Sequence, residues 1–76
     1  MTTEVKIPSL GAGMIEGTVT EWLVTDGAKV SSGDVIYTLE SEKTAQDVES
    51  PASGTLSIIG KAGETFPVGE LIAKID

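Results

Sequence analysis

Hydrophobic and polar residues alternate along this chain in short runs. Val5 and Ile7 share one face while Glu4 and Lys6 take the other. Val35, Tyr37 and Leu39 alternate with Ile36, Thr38 and Glu40, and Leu71, Ala73 and Ile75 alternate with Ile72, Lys74 and Asp76. Leu56 and Ile58 stand between Thr55, Ser57 and Ile59 in the same manner. A period of two over a few residues predicts half-buried strands. Glycines 11, 13, 17, 27, 33, 54, 60, 63 and 69 fall between the runs, where turns belong. No window carries the apolar stripe of an amphipathic helix. The pattern therefore predicts about seven or eight short strands and an all-β fold, with Val30 and Val68 on very short strands.

The pattern occurs twice. Residues 17–40 read GTVTEWLVTDGAKVSSGDVIYTLE, and residues 54–76 read GTLSIIGKAGETFPVGELIAKID. Gly17, Gly27 and Gly33 correspond to Gly54, Gly63 and Gly69, and Asp34-Val35-Ile36 to Glu70-Leu71-Ile72. The segments ahead of each copy correspond too, Glu4 to Pro8 with Asp47 to Pro51. Two equal halves, neither able to bury its own apolar face, should pack on one another. The expected architecture is a flattened two-sheet barrel or sandwich, a barrel-sandwich hybrid, with internal pseudo-two-fold symmetry. Lys43 falls at the joint between the halves, in Glu40-Ser41-Glu42-Lys43-Thr44. Symmetry places that tip opposite the chain ends.

The halves differ in one loop. Ser9 to Glu16 separate Pro8 from Gly17, whereas only Ala52 and Ser53 separate Pro51 from Gly54. Two doublings of loop length cost only about 1.2 kcal/mol of closure entropy. The longer loop reads either as a contact surface for a partner or as packing, with Leu10, Met14 or Ile15 filling a gap in a thin core.

Length and composition narrow the chemistry. The 76 residues suit one small domain, 1–76. No cysteine or histidine is present, so disulfides, catalytic triads and the usual zinc or iron sites cannot be assembled. The chain on its own is expected to be non-catalytic. A net charge of −7 argues against nucleic acid and anionic membrane surfaces as partners and suits basic protein surfaces. No apolar run approaches the ~20 residues of a membrane span. Met1-Thr2-Thr3-Glu4 lacks the basic and apolar regions of a secretory signal, so a cytoplasmic or, after processing, a mitochondrial-matrix location is expected. Gly11, Gly13 and Gly17 are spaced one residue too long for a dinucleotide fingerprint. Trp22, Tyr37 and Phe66 read as core and edge packing rather than a ligand cage.

Among the lysines, Lys6 and Lys74 fall on outward strand positions, and Lys29 and Lys61 flank glycine turns. Lys43 alone is flanked by polar residues at a tip between two apolar strands. With neither glycine nor proline in that tip, a loop built on a type I turn is expected.

Glu40-Ser41-Glu42-Lys43-Thr44, followed by Val48, Ser50-Pro51 and Gly54, resembles the attachment sequence of lipoyl domains, carrier modules of 2-oxo acid dehydrogenase complexes. Ile7-Pro8-Ser9-Leu10-Gly11 and Gly17 to Trp22 resemble the openings of that family, and the likeness runs from residue 4 to 76. Glu42 stands where the family usually has Asp, and Thr44 where it usually has Ala. The resemblance implies lipoic acid joined by an amide to Lys43. It implies Glu40, Glu42 and Thr44 at the tip, and Ser9, Leu10, Gly11, Met14 and Glu16 on the loop, as recognition residues. The partners it implies are a lipoate ligase or lipoyl transferase, a thiamine-diphosphate 2-oxo acid decarboxylase, an acyltransferase core and a dihydrolipoyl dehydrogenase. Alternatives of the same fold are a biotinyl carrier, the carrier protein of the glycine cleavage system and an unmodified interaction domain. No methionine flanks Lys43, unlike the typical biotinyl lysine.

Overall fold

The computed structural model describes residues 2–11, 13–41 and 44–76. Its strands are β1 (Thr3–Lys6), β2 (Glu16–Trp22), β3 (Lys29–Val30), β4 (Val35–Glu40), β5 (Ala45–Glu49), β6 (Gly54–Ile58), β7 (Thr65–Pro67) and β8 (Leu71–Ile75). They form two antiparallel four-stranded sheets, ordered β1-β8-β6-β3 and β5-β4-β2-β7. Carrying the first half onto the second turns β1, β2, β3 and β4 into β5, β6, β7 and β8. That operation converts the first sheet order into the second, so the predicted symmetry is an exchange of sheets.

The equivalence extends to single residues. Val5 opposite Ala73 matches Val48 opposite Tyr37, and Lys6 opposite Leu71 matches Glu49 opposite Val35. Gly27 N–H donates to Leu56 O at 2.7 Å, and Gly63 N–H donates to Val19 O at 2.6 Å. Gly33 N–H donates to Ser50 O, and Gly69 N–H to Ile7 O, both at 2.9 Å. Those turn glycines adopt left-handed φ in matched pairs, 86° and 89° at Gly27 and Gly63, 95° and 93° at Gly33 and Gly69. A side chain with a Cβ would strain each turn.

Two expectations need correction. Val35 does not share the inward face of Tyr37 and Leu39. The register slips between Val35 and Tyr37, which buries Ile36 and leaves Val35 exposed. Such a bulge puts two residues against one on the partner strand and breaks the period of two. Val68 is not on a strand either. The short strand ends at Pro67, and Val68 lies in the turn that follows.

One core fills the space between the sheets. Val5, Ile7, Val19, Val30, Ile36, Tyr37, Leu39, Leu56, Ile72, Ala73 and Ile75 are buried in it. The aromatic residues are packing groups, as predicted, and they are gathered on one side of the pseudo-axis. Trp22 and Tyr37 are cross-strand partners with ring centroids 5.0 Å apart and planes tilted by 48°. Their counterparts, Ile58 and Ala73, are also paired and are smaller. Trp22 Nε1–H donates to Gly60 O at 2.8 Å. Phe66 lies against the same glycine, leaving no room there for a Cβ.

Candidate functional site

Strands β4 and β5 form the hairpin that carries the tip. Glu40 pairs with Ala45, and Ser41 N–H donates to Thr44 O at 2.8 Å. Strand pairing thus reaches both residues that bracket Glu42 and Lys43 in sequence. Glu42, Lys43 and the expected type I turn lie outside the described residues.

The tip stands away from the chain ends. Thr2 hydroxyl donates to the Asp76 carboxylate, and Asp76 N–H donates to Thr55 O at 3.0 Å. Residue 54 packs against the Asp76 carbonyl, while Ser53 Oγ accepts from Ser32 N–H at 3.0 Å. Residues 2 and 76 therefore lie at the end of the sandwich where β4 starts. The six residues of β4 then run to Glu40 at about 3.3 Å each, which carries Ser41 and Thr44 roughly 20 Å away.

Beside the tip lies an open cleft of about 770 Å³. It brings together the two segments singled out in the sequence. Leu10, Gly11, Met14 and Glu16 line it from the long loop, and Glu40 and Thr44 from the hairpin. Ser9 does not line it; its hydroxyl donates to Gly11 O at 2.9 Å and ties the loop to itself. The loop also turns on Met14, whose N–H donates to Gly11 O at 3.3 Å and whose Sδ accepts from Leu10 N–H at 3.0 Å. Both readings of this loop have a share of the residues. Leu10 and Met14 pack against the core, whereas Ile15 keeps 75% of its surface exposed.

Sequence reasoning missed part of the lining: Gly17, Thr18, Ser41 and Thr65. Thr18 and Thr65 pair across β2 and β7, with their hydroxyls 2.8 Å apart. Placing Val68, rather than Thr65, on the short strand concealed that pairing. Gly17 forms part of the floor. A Cβ there would meet Leu39 Cδ1 at 2.8 Å and Met14 Cε at 2.9 Å, so only glycine lets the Met14 methyl rest on the strand. Among the described residues, none that lines the cleft is a lysine or arginine.

A symmetric pair of sheets with a polar hairpin tip at the joint defines a class of small carrier domains. The family model described as "Biotin-requiring enzyme" matches residues 3–75, and the chain belongs to this biotin/lipoyl family. Similar curated proteins include the lipoamide acyltransferase component of the branched-chain alpha-keto acid dehydrogenase complex of Bacillus subtilis. It is 38% identical over 74 residues, 96% of this chain and 18% of the relative. The dihydrolipoyllysine-residue acetyltransferase component of the pyruvate dehydrogenase complex of Zymomonas mobilis is 35% identical over 75 residues, covering 96% of this chain and 17% of its own length. The dihydrolipoyllysine-residue acetyltransferase component of the acetoin cleaving system of Pseudomonas putida is 39% identical over 70 residues, covering 91% and 19%. The chain thus spans less than a fifth of the length of these relatives.

Proposed function

We propose that the chain is a lipoyl carrier domain and that Lys43 is its attachment residue. The observation that carries this reading is the position of Ser41 and Thr44. They are paired at the end of a hairpin remote from residues 2 and 76, with Lys43 between them in sequence. A tether leaving from either end of the chain would clear the tip.

Family membership supports a covalently attached group, and the residues present suit a lipoyl one. An amide to Lys43 would remove its positive charge, leaving an uncharged arm with an apolar stem. The cleft beside the tip offers thioether and methyl surface at Leu10, Met14 and Ile15, and hydroxyls at Thr18, Ser41, Thr44 and Thr65. When bound, the dithiolane ring supplies reversible acyl and electron carriage by thiol–disulfide chemistry. The chain itself supplies the paired β4–β5 hairpin, whose Ser41 and Thr44 bracket that point in sequence. Glu40 on the hairpin and Glu16 on the loop give the site acidic edges that suit basic partner surfaces.

The partners that suit this role are a lipoate ligase or lipoyl transferase, a thiamine-diphosphate 2-oxo acid decarboxylase, an acyltransferase core and a dihydrolipoyl dehydrogenase. Tethering to them would raise the effective concentration of the arm toward the millimolar range.

Incubation with a lipoate ligase, lipoate and ATP, followed by intact mass and peptide mapping, tests the reading. One lipoyl adduct on Lys43 is expected, and Lys43→Arg should fold and remain unmodified. An adduct on Lys6, Lys29, Lys61 or Lys74 in place of Lys43 would sink the assignment. Loading by a biotin ligase in place of the lipoate ligase would make the chain a biotinyl carrier.

A further inference from the structure

Met1 and Met14 hold the only sulfur atoms of the chain, which has no cysteine. Met14 lies in the Ser9 to Glu16 loop. The other half has no such loop, since Pro51 and Gly54 are joined there through Ala52 and Ser53 alone. The Met14 side chain is half-buried, with its methyl over Gly17 beside Leu39 Cδ1. Its sulfur accepts from Leu10 N–H at 3.0 Å, and the side chain lines the open cleft. Thioether sulfur is ordinarily a weak acceptor, yet here it takes a backbone amide. Together with the bond from Met14 N–H to Gly11 O at 3.3 Å, it closes the loop on itself.

A thioether sulfur has a pair of lone pairs, and oxidation at one or the other gives opposite epimers of the sulfoxide. Leu10 N–H caps one of them. A small oxidant entering from the cleft therefore meets only the other. Oxidation there also undoes the contacts that hold the side chain. The sulfoxide sulfur bears partial positive charge and no longer attracts an N–H. Its new oxygen is a strong acceptor, but it stands on the side away from Leu10. It can reach that N–H only if the side chain turns, which lifts the methyl off Gly17. A polar S–O group beside the fully buried Leu39 is itself unfavourable.

We propose that Met14 is a reversible oxidation site, converted by peroxide to a single sulfoxide epimer, and that its oxidation frees the Ser9 to Glu16 loop from the Leu10–Met14 contact. The sulfur lone pair attacks one peroxide oxygen, and the S–O bond forms as the O–O bond breaks. The departing hydroxide takes the proton of the transferred oxygen and leaves as water. Sulfur loses an electron pair and the peroxide gains it. A methionine sulfoxide reductase supplied with a dithiol restores the thioether, the oxygen leaving as water and the dithiol becoming a disulfide. Lys43 takes no part, so the inference stands apart from the lipoyl reading and goes beyond it.

The test uses the whole, unloaded chain, treated with hydrogen peroxide when folded and when unfolded in urea. Peptides carrying Met14 sulfoxide are divided between the reductases specific for each epimer. One reductase should clear the product of the folded chain and the other leave it untouched, whereas each should clear a comparable share from the unfolded chain. Amide NMR of the oxidised folded chain should show its largest shift at Leu10, with Gly11 and Gly17 following and Leu56 unmoved, and reduction of the intact chain should reverse it. Met14→Leu, which keeps the bulk and removes the acceptor, should shift the Leu10 amide before any peroxide is added and show no further response at the loop. The oxidation measurements need only the parent chain, so they decide the matter even where that variant fails to fold. Equal amounts of both epimers from the folded chain would overturn the proposal. So would a folded chain whose Met14 resists peroxide that oxidises the unfolded one, or an oxidised chain whose Leu10 amide stays in place.

Discussion

Ile36 and Ile72 occupy the same place in the two halves of the molecule. Each is passed over where the register slips, between Val35 and Tyr37 opposite β5 and between Leu71 and Ala73 opposite β1. Each is fully buried, and each carbonyl accepts a hydrogen bond from the end of a neighbouring strand, Leu23 N–H at 2.9 Å and Ile59 N–H at 2.8 Å. The bulge turns two successive side chains inward and thickens a core that a domain of this size could not otherwise fill. Ile36→Val and Ile72→Val should each cost about 0.5–1.5 kcal/mol, and the two costs should be similar. Urea unfolding of the single variants measures both. A large cost at one site and none at the other would show that the cores of the two halves are not equivalent.

Tyr37 buries a hydroxyl without a hydrogen-bond partner among the described residues, and burial pushes its pKa up to about 12. Removing an unsatisfied buried hydroxyl recovers part of a desolvation cost of about 1–3 kcal/mol. Tyr37→Phe is therefore expected to be as stable as the parent or more so. The folded pKa is raised above the unfolded value of 10.0, so the unfolded chain loses its phenol proton first. Tyr37 thus contributes stability that is fully present below pH 10 and is lost as pH rises toward 12, by about 2–3 kcal/mol. Tyr37 is the single tyrosine of the chain, so tyrosinate absorbance follows it alone. Unfolding curves across that range should steepen their loss in the parent and not in Tyr37→Phe.

Gly54 and Gly60 are expected to tolerate replacement poorly. A Cβ at Gly54 would strike the Asp76 carbonyl, and φ there is +153°. At Gly60 it would come within 2.8 Å of Phe66 Cζ and 3.1 Å of Ile72 Cγ2. Alanine at either position should cost about 1–3 kcal/mol through overpacking, more at Gly54 because backbone cannot yield as a side-chain tip can. Gly11→Ala, with nothing near its Cβ, is the control and should change thermal stability little.

Exchanging Glu42 and Lys43 keeps composition and charge while moving the lysine one place along the tip. The exchanged chain is expected to fold and to accept lipoate slowly, as followed by intact mass over time. Full loading at the parent rate would mean that the ligase does not require the lysine at that position.

Much of the fold was legible because the repeat is written in glycines. Gly27 and Gly33 answer Gly63 and Gly69 at a spacing of 36, and their φ values agree. Gly17 answers Gly54 at 37, and the structure gives the reason. The register slips between Val19 and Glu21, so Thr20 is the extra residue of the first half. That one-residue change was visible in the spacing, but only pairing assigns it to a bulge. The inward turn of Ile36 was not legible, because a strict period of two admits no slip. At the site, Lys43 and the long loop could each be singled out from sequence. The meeting of that loop with Glu40, Ser41 and Thr44 around one cleft could not, since it depends on β7 pairing with β2 and bringing Thr65 beside Thr18.

The exchange of sheets also means that neither half of the chain owns a sheet. β1 and β3 of the first half flank β8 and β6 of the second in one sheet, and β5 and β7 of the second flank β4 and β2 of the first in the other. The halves are woven rather than stacked, and the backbone crosses from one to the other only at the tip. Scission of the backbone at that crossing would leave two fragments with no covalent bond between them, yet each still hydrogen-bonded into both sheets. Lys43, the proposed attachment residue, thus falls in sequence at the one crossing where the covalent chain matters least to the integrity of the woven body.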